Sequence, residues 1–278
     1  MSHSSPFTPE SGYNFTKISY HDTYSPITPD TSTPTHSGKV VFVNGAWKGI
    51  GRATALSYAK SGVSGLVISA RSSLASVERE IEEVCKSANT PAPSILALKL
   101  DVLDFASVTD AAKSIKTTFG RLDILVNNAA YLSTTANVAG GDKDERWMNW
   151  EVNIRGVYWA TKCLLPLLLK TDGGDKTIVN LASVAALLMT PGMSGYQMSK
   201  FALVKFTERL CLESFTDLHA TVLTDTPELA GDTISYLTSQ KRKWLAGRYL
   251  SSNWDMSEIM SREKEIVDED KLKFKINL

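Results

Sequence analysis

Apolar residues recur along this chain in short runs, and longer segments with helical periodicity separate these runs. Short apolar runs bounded by turn residues are typical of strands that are buried on both faces of a sheet. The apolar runs are Lys39–Val43, Gly65–Ala70, Ile95–Leu100, Leu122–Val126, Thr177–Ser183 and a stretch near Arg248–Ser252. The helical segments are one ending at about Lys60, Leu74–Ala88, Phe105–Phe119, Lys143–Lys170, and one that contains Tyr196 and Lys200.

This alternation predicts an α/β fold, with a doubly wound parallel sheet of about six to seven strands and helices on both faces. No internal repeat or second apolar core interrupts the pattern, so we expect a single Rossmann-like domain over residues 38–278. Residues 1–37 are rich in Ser, Thr and Pro and lack sustained periodicity. We expect an extended, partly ordered arm there, with its aromatic residues lying against the domain.

The composition argues against a nucleic-acid-binding protein and against a membrane protein. The 278 residues contain 30 Lys and Arg against 30 Asp and Glu, which gives no net field to attract nucleic acid or an anionic membrane. The three cysteines, Cys85, Cys163 and Cys211, are widely spaced in apolar helical contexts and suit a reducing compartment. No apolar run approaches ~20 residues and no signal peptide is evident, so we expect a cytoplasmic protein without a membrane span.

The first strand runs directly into a glycine-rich turn, Asn44–Gly51, which opens a helix. Strand, glycine-rich turn and helix is the context in which such a motif binds a dinucleotide. Gly45 permits the tight turn, and Gly49 and Gly51 let the cofactor approach the backbone at the helix N-terminus. The alternative is a helix-entry loop whose glycines are incidental.

The second strand ends in Ala70 and Arg71, where an acidic residue would bind the adenosine ribose hydroxyls of NAD. Arg71 can instead pair with a 2′-phosphate, and Lys48 in the glycine-rich turn can reach the same region. This favours NADP(H) as the cofactor. The alternative is a solvated arginine at a strand end.

Polar residues also follow the third and fourth strands. Asp101, before Val102, can accept a hydrogen bond from the adenine amino group, or it can cap a helix. Asn127 and Asn128 leave a buried strand beside the ligand crevice, where amides can brace neighbouring strands and touch the cofactor. The alternative is a pair of Asn residues in an ordinary turn.

A tyrosine and a lysine four residues apart, Tyr196 and Lys200, lie on one face of a predicted helix. An ammonium roughly 4 Å from the phenol contributes about 4 kcal/mol at an effective dielectric constant of ~20. That would lower the tyrosine pKa by about two to three units and make a proton donor suited to neutral pH. Ser183 ends a buried strand, at the edge where open α/β sheets bind ligands. An ordinary solvated Tyr–Lys pair is the alternative.

Taken together, these residues resemble the short-chain dehydrogenase/reductase family across about Gly38 to Ser252. The resemblance rests on the Asn44–Gly51 turn, Asp101-Val102, Asn127-Asn128-Ala129, Asn153, Ser183, and the Tyr196–Lys200 pair. The tail from Asp225 to Asp255 is similar to fungal members. Two departures are Asn44, where threonine is usual, and Ala130, where glycine is usual; Asn44 is the one placed to alter the turn.

The resemblance implies a role for each matching residue. Tyr196 would exchange a proton with the carbonyl or alcohol oxygen, Lys200 would lower the tyrosine pKa and bind the nicotinamide ribose, and Ser183 would polarise the carbonyl. Asn153 would hold a water that links Lys200 to solvent. The expected cofactor-binding residues are Gly45, Lys48, Gly49, Ile50, Gly51, Arg71, Asp101, Val102, Asn127, Asn128, Tyr196 and Lys200.

One segment departs from the family in length. The helix after Tyr196 should end near Ser214–Thr216, and the next helix can begin at Thr226-Pro227. In the family this interval holds the sixth strand, a Pro-Gly turn and the substrate loop, and here it is short by roughly 20–30 residues. Either Ala220–Leu223 acts as a shortened strand, or the sheet has a gap before the strand near Tyr249.

Two function classes follow. The first is an NADP(H)-dependent carbonyl reductase or alcohol dehydrogenase acting on a small molecule, with a place in fungal secondary metabolism. The second is a catalytically impaired, nucleotide-binding relative that acts as an accessory protein, because the substrate segment is shortened. The family's habit of pairing the helices that hold Asn153 and Tyr196 implies a homodimer or homotetramer.

Overall fold

The computed structural model describes residues 15–29, 31–214, 217–222 and 226–274, without the side chains of 212–214 and 217–222. Its strands are β1 Val40–Asn44, β2 Gly65–Ala70, β3 Ser94–Lys99, β4 Ile124–Asn127, β5 Thr177–Leu181, β6 Asp217–Val222 and β7 Arg248–Ser251. Its helices are α1 Gly49–Lys60, α2 Ala75–Ala88, α3 Phe105–Phe119, α4 Lys143–Trp150, α5 Val157–Lys170, α6 Ser194–Ser214, α7 Pro227–Thr238, α8 Met256–Ser261 and α9 Glu263–Asp268.

Within the described residues, the strands form one parallel sheet in the order β3-β2-β1-β4-β5-β6-β7. The order reverses between β1 and β4, which opens a crevice at the carboxyl ends of these strands. We call this side of the sheet the carboxyl edge. The predicted α/β fold is confirmed, with seven strands at the upper end of the expected range.

The shortened interval after α6 does form a strand. β6 pairs with β5 from Thr177 and with β7 up to Ser251, so the sheet has no gap between these neighbours. The strand begins at Asp217, three residues before the predicted Ala220, and Leu223 lies outside the described residues. As predicted, α6 ends at Ser214 and α7 begins at Pro227, where the hydroxyl of Thr226 accepts from Leu229 N at 3.3 Å.

Helices cover the sheet on both faces, as the continuously apolar strands require. One apolar cluster joins β1, β2 and β4 to α1, α2 and α7, with Ile68 and Ile234 among its buried members. A second joins the other face to α3, α5 and α6 around Phe42 and Ile115. Helices α1 and α7 lie so close that a Cβ at Gly231 would meet the backbone of Ala53 at 2.7 Å.

The predicted helix Lys143–Lys170 follows the expected path but has one wide turn. Residues Glu151–Gly156, between α4 and α5, form a π-helical segment with Asn153 fully buried in it. π-Helical turns within α-helices are rare and frequently lie at functional sites.

A third apolar cluster joins the N-terminal arm to the last part of the chain. Ile27 and Trp254 are buried in it together with residues of α7, β7 and α8. The ring of Phe15 lies 5.2 Å from that of Trp254, and the Arg262 guanidinium lies 4.0 Å from the Phe15 ring centroid. No described helix is long and apolar enough to cross a membrane.

The arm enters β1 past a buried histidine. His36 lies against the edge of Tyr58, and its Nε2 is 3.3 Å from the hydroxyl of Thr238 at the end of α7. Its other ring nitrogen is 3.0 Å from the Thr35 hydroxyl. Burial, with a smaller contribution from Lys39, lowers the pKa of His36 to about 3. The imidazole is therefore neutral in the folded protein at physiological pH.

We predict that this histidine makes the fold acid-sensitive. The unfolded chain takes up the proton near pH 6.5 and the folded one only near pH 3. The contribution of neutral His36 to the free energy of unfolding is therefore complete above pH 6.5 and is lost as the pH falls toward 3. At pH 5 the free energy of unfolding should be lower by about 2 kcal/mol than at pH 7. Urea unfolding at pH 7 and pH 5 measures it.

The matched comparison is His36→Gln against His21→Gln, which alters an exposed histidine. His36→Gln should reduce the stability difference between the two pH values, and His21→Gln should leave it unchanged. An unchanged difference in His36→Gln would contradict this account.

Candidate active site

The glycine-rich turn at the start of α1 has two crowded positions and one open one. Gly45 has a φ of +67°, and a Cβ there would meet Ala129 Cα and Asn128 Nδ2 at 2.9 Å. A Cβ at Gly51 would overlap the Gly45 carbonyl. Gly49, with a φ of +56°, faces open space. The turn is therefore packed on its inner side, and its outer side leaves the backbone open to a ligand.

Asn44 joins this turn to the loop after β4. Its Nδ2 donates to Asn127 Oδ1 at 2.9 Å, and its Oδ1 accepts from the backbone N–H groups of Asn128 and Ala129 at 2.8 and 2.7 Å. The Asn128 side chain in turn donates to the carbonyl of Gly45 at 2.9 Å. Asn44 carries its donor and its acceptor on two separate atoms, so it reaches the Asn127 side chain and the two backbone N–H groups at once. The departure at residue 44 is therefore compatible with a braced turn.

Next to the turn lies a cavity of about 480 Å³ at the carboxyl edge. It is lined by Gly45, Trp47, Lys48, Gly49, Ser69, Ala70, Arg71, Ser72, Leu100, Asp101, Val102, Leu103, Asn128, Ala129, Ala130, Tyr131, Met148 and Val152. Lys48 and Arg71 are exposed on its border. The hydroxyl of Ser69 is buried and has no hydrogen-bond partner among the described residues. An orphaned hydroxyl and a backbone with open space beside it fit a dinucleotide's polar groups.

Asp101 lies in this lining but does not cap α3. Its carboxylate accepts from Leu103 N at 2.9 Å, whereas Asp104 is the N-cap residue and accepts from Ala106 N at 3.0 Å. The second carboxylate oxygen of Asp101 remains for other partners.

Asn153, in the π-helical segment, connects the cavity to α6. Its side chain accepts from Tyr131 N at 2.8 Å and donates to the Tyr131 carbonyl at 2.9 Å. It also donates to the Ser199 hydroxyl at 3.0 Å, which in turn donates to the carbonyl of Tyr196. The Asn153 amide thus holds one wall of the cavity in register with the helix that carries Tyr196 and Lys200.

Lys200 is buried beneath the carboxyl edge, with 2% of its surface exposed. Its ammonium donates to the carbonyl of Leu181, the last residue of β5, at 2.7 Å. The same ammonium lies 5.8 Å from the centroid of the Tyr196 ring. Burial lowers the pKa of Lys200 to about 8.

The Ser183 hydroxyl lies near the Tyr196 phenol, close enough to influence its pKa. The Ser183 oxygen also accepts from Ala185 N at 3.1 Å, which fixes the turn after β5. Burial raises the pKa of Tyr196, and the neighbouring Ser183 side chain lowers it by less. This direction is opposite to the lowering by Lys200 that the residue spacing predicts. Desolvation disfavours the charged phenolate and is the largest influence on this pKa.

The structure brings the predicted residues together in two adjoining groups. Gly45, Lys48, Gly49, Arg71, Asp101, Val102 and Asn128 line the cavity, while Ser183, Tyr196 and Lys200 form the second group around the end of β5. Ile50 packs against the apolar core below the turn.

Asn127 belongs to neither group's surface. It is buried and donates to Asn180 Oδ1 at 2.9 Å, so it braces β4 against β5, which is one of the two functions expected of it.

Sequence reasoning missed Ser69, Tyr131 and Ser199. Ser69 had a signal, because it is a polar residue inside an apolar run. Tyr131 and Ser199 had none, since only the fold brings them to Asn153.

Comparison with known proteins agrees with this geometry. Residues 39–218 match the family model described as short chain dehydrogenase. The short chain dehydrogenase mpl6 of Monascus purpureus is 44% identical, over 98% of this chain and 99% of that protein. This alignment runs over 294 positions, more than the 278 residues of the chain.

Solved structures share the fold. A short chain dehydrogenase from Mycobacterium smegmatis has a TM-score of 0.73 at 24% identity, covering 84% of this chain and 97% of its own. A 3-ketoacyl-(acyl-carrier-protein) reductase from Brucella melitensis, complexed with NADH, has a TM-score of 0.66 at 26% identity, covering 77% and 96%. This chain belongs to the short-chain dehydrogenase/reductase family, as a fungal-type member. It is an oxidoreductase of a family that binds nicotinamide cofactors.

We predict that Asn44 is needed to hold the two loops together. Asn44→Ala leaves two partly buried backbone N–H groups and the Asn127 oxygen without their partner, which should cost about 2 kcal/mol of unfolding free energy. Asn44→Thr restores an acceptor for one of them and should cost less. Chemical denaturation of the two variants measures the difference. Equal stability of Asn44→Ala and the wild-type protein would contradict the bracing role.

Proposed function

We propose that this chain is an NADP(H)-dependent oxidoreductase that interconverts a ketone or aldehyde and an alcohol. The observation that carries the proposal is the arrangement of Ser183, Tyr196 and Lys200 at the end of β5, next to the cavity bordered by the glycine-rich turn. A protein that only bound the nucleotide would have no use for a buried lysine beside a serine–tyrosine pair. The cofactor, when bound, supplies or accepts the hydride.

Each catalytic residue has a separate task in this proposal. Tyr196 donates its phenolic proton to the carbonyl oxygen as the alcohol forms, and its raised pKa keeps that proton in place at neutral pH. Ser183, which lies beside Tyr196, polarises the same carbonyl oxygen. Lys200 binds the nicotinamide ribose and replaces the proton on Tyr196. Asn153 completes the relay by holding a water near Lys200.

The preference for NADP(H) rests on charge at the end of β2. Arg71 and Lys48 border the cavity as exposed cations, and Ala70, the last residue of the strand, carries no carboxylate. A 2′-phosphate carries two negative charges that an arginine can bind with two parallel hydrogen bonds. Ser72 and Ser69 are also part of this lining.

A second candidate function is a nucleotide-binding accessory protein with impaired catalysis. The alignment to mpl6 requires gaps in this chain, which agrees with a segment shortened between α6 and α7. A shortened segment would leave the nicotinamide loosely held, and a displacement of 1 Å at the reacting atoms can cost about 100-fold in rate. Continuous pairing of β6 with both neighbours favours the active enzyme instead.

We also propose a domain organisation, a cellular location and an oligomeric state for this enzyme. Residues 38–278 form the catalytic domain and residues 1–37 an arm, in a cytoplasmic enzyme of fungal secondary metabolism. Exposed apolar side chains on α4, α5 and α6, among them Trp147, Tyr158 and Phe201, support a homodimer or homotetramer.

We predict that Tyr196→Phe abolishes turnover and leaves NADPH binding nearly intact, because only the proton donor is removed. A positioned general acid contributes about 10²-fold or more to the rate. NADPH oxidation with a panel of ketones measures turnover, and fluorescence titration measures binding. Tyr158→Phe removes an exposed phenol and serves as the control. Retention of more than about a tenth of the wild-type kcat would exclude Tyr196 as the acid.

We also predict that the wild-type protein binds NADPH more tightly than NADH and that Arg71→Asp reverses this order. The arginine–phosphate contact should contribute roughly tens- to a hundredfold in affinity. Dissociation constants of both cofactors, measured for each protein, provide the test. Arg79→Asp, which places the same charge change on the exposed face of α2, should leave the order unchanged. Equal wild-type constants for the two cofactors would contradict the assignment.

A further inference from the structure

The chain between β6 and α7 is too short to cover the substrate side of the site. Only residues 223–226 connect Val222 to Pro227. Five residue steps span at most about 18 Å, which is enough to link two elements but too short for a loop that also folds over a bound substrate. Another part of the molecule must exclude water there if the site is to work efficiently.

The N-terminal arm occupies this side of the carboxyl edge. At the start of α7, directly after β6, Thr226 donates through its backbone N–H to the His21 carbonyl at 3.5 Å and through its hydroxyl to Asp22 Oδ1 at 2.8 Å. The Thr23 hydroxyl donates to the buried carboxylate of Asp232 at 2.5 Å. Residues 21–23 are therefore fastened to the first two turns of α7.

A second set of contacts fastens the arm to the chain after β7. Tyr20 exchanges hydrogen bonds with Asn253, its N–H donating to the Asn253 carbonyl and its carbonyl accepting from Asn253 Nδ2, both at 2.8 Å. The Tyr24 hydroxyl accepts from Met256 N at 2.8 Å. Both hydrogen bonds of Tyr20 to Asn253 are made by its backbone, so they do not involve the Tyr20 ring. It stacks on Tyr24 with centroids 3.6 Å apart and planes 5° from parallel.

The aromatic pair shares an apolar cluster with the turn that carries Ser183. Tyr20 and Tyr24 pack against the same cluster as Val184, Ala186 and Leu187, which follow that serine closely. The carboxylates at this place, Asp22 and Asp232, would repel an anionic substrate.

We propose that residues 19–24 form the substrate-side wall of the active site, in place of a long connection after β6. The stacked rings of Tyr20 and Tyr24 present an apolar surface to a neutral carbonyl compound. This inference deepens the proposed reductase function and rests on it. Tyr20 is then a specificity-determining residue, because its backbone anchors the arm while its ring contacts the substrate.

Kinetics of the full chain test the wall, with acetophenone as a neutral carbonyl probe and acetoacetyl-coenzyme A as an anionic one. Tyr20→Ala should raise the KM for the neutral probe roughly tenfold, the usual worth of one aromatic contact, and leave kcat and the NADPH dissociation constant near wild type. Tyr20→Phe should restore the wild-type KM. Phe15→Ala removes another arm ring, which lies against Trp254 and Arg262, and should lower thermal stability without changing KM.

An unchanged KM in Tyr20→Ala, or an equal rise in Phe15→Ala, would overturn the proposal. So would a higher kcat/KM for the anionic probe than for the neutral one.

Hydrogen exchange separates this inference from the proposed reaction. With NADPH and the neutral probe together, slower exchange at residues 19–24 supports the wall even if no turnover is detected. Protection of the glycine-rich turn alone shows that the cofactor binds and overturns the wall. Protection of neither segment overturns both the wall and the proposed function.

Discussion

The candidate site depends on a lysine ammonium that is buried beneath the carboxyl edge of the sheet. Lys200 has the Leu181 carbonyl as its hydrogen-bond partner and loses most of its hydration, so its pKa falls to about 8. The phenol of Tyr196 is buried beside it, which raises the pKa of the tyrosine. Both groups are thus held closer to their neutral forms than free side chains would be. Such perturbed groups, placed at the end of a strand, distinguish this pair from an ordinary helical Tyr–Lys pair on a surface.

Backbone bracing holds these groups in register with the nucleotide cavity. Asn153 ties the cavity wall at Tyr131 to Ser199 on α6, and its side chain is buried within the π-helical turn. Asn44 does the same for the glycine-rich turn and the loop after β4. The two halves of the site are therefore set by buried side-chain amides, which have several donors and acceptors each and so fix several chain segments at once.

Much of this arrangement is predictable from the sequence. Apolar runs predict the strands because a parallel sheet is buried on both faces, and the glycines at 45 and 51 predict a turn too crowded for a side chain. The pKa of Tyr196 was not predictable. Residue spacing places the lysine one turn away but gives neither the final distance nor the desolvation. The contacts of the arm with α7 were also hidden, since they join residues about 200 positions apart that carry no shared pattern.

We infer that burial, rather than the lysine charge, sets the protonation state of Tyr196 before cofactor binds. The direct measurement is an NMR pH titration of ¹³Cζ-labelled tyrosine in the cofactor-free protein, with Tyr196→Phe identifying the resonance. The account predicts that the Tyr196 phenol titrates above pH 10, the ordinary value for tyrosine. A pKa below 10 in the cofactor-free protein would show that Lys200 outweighs desolvation, and it would contradict the account.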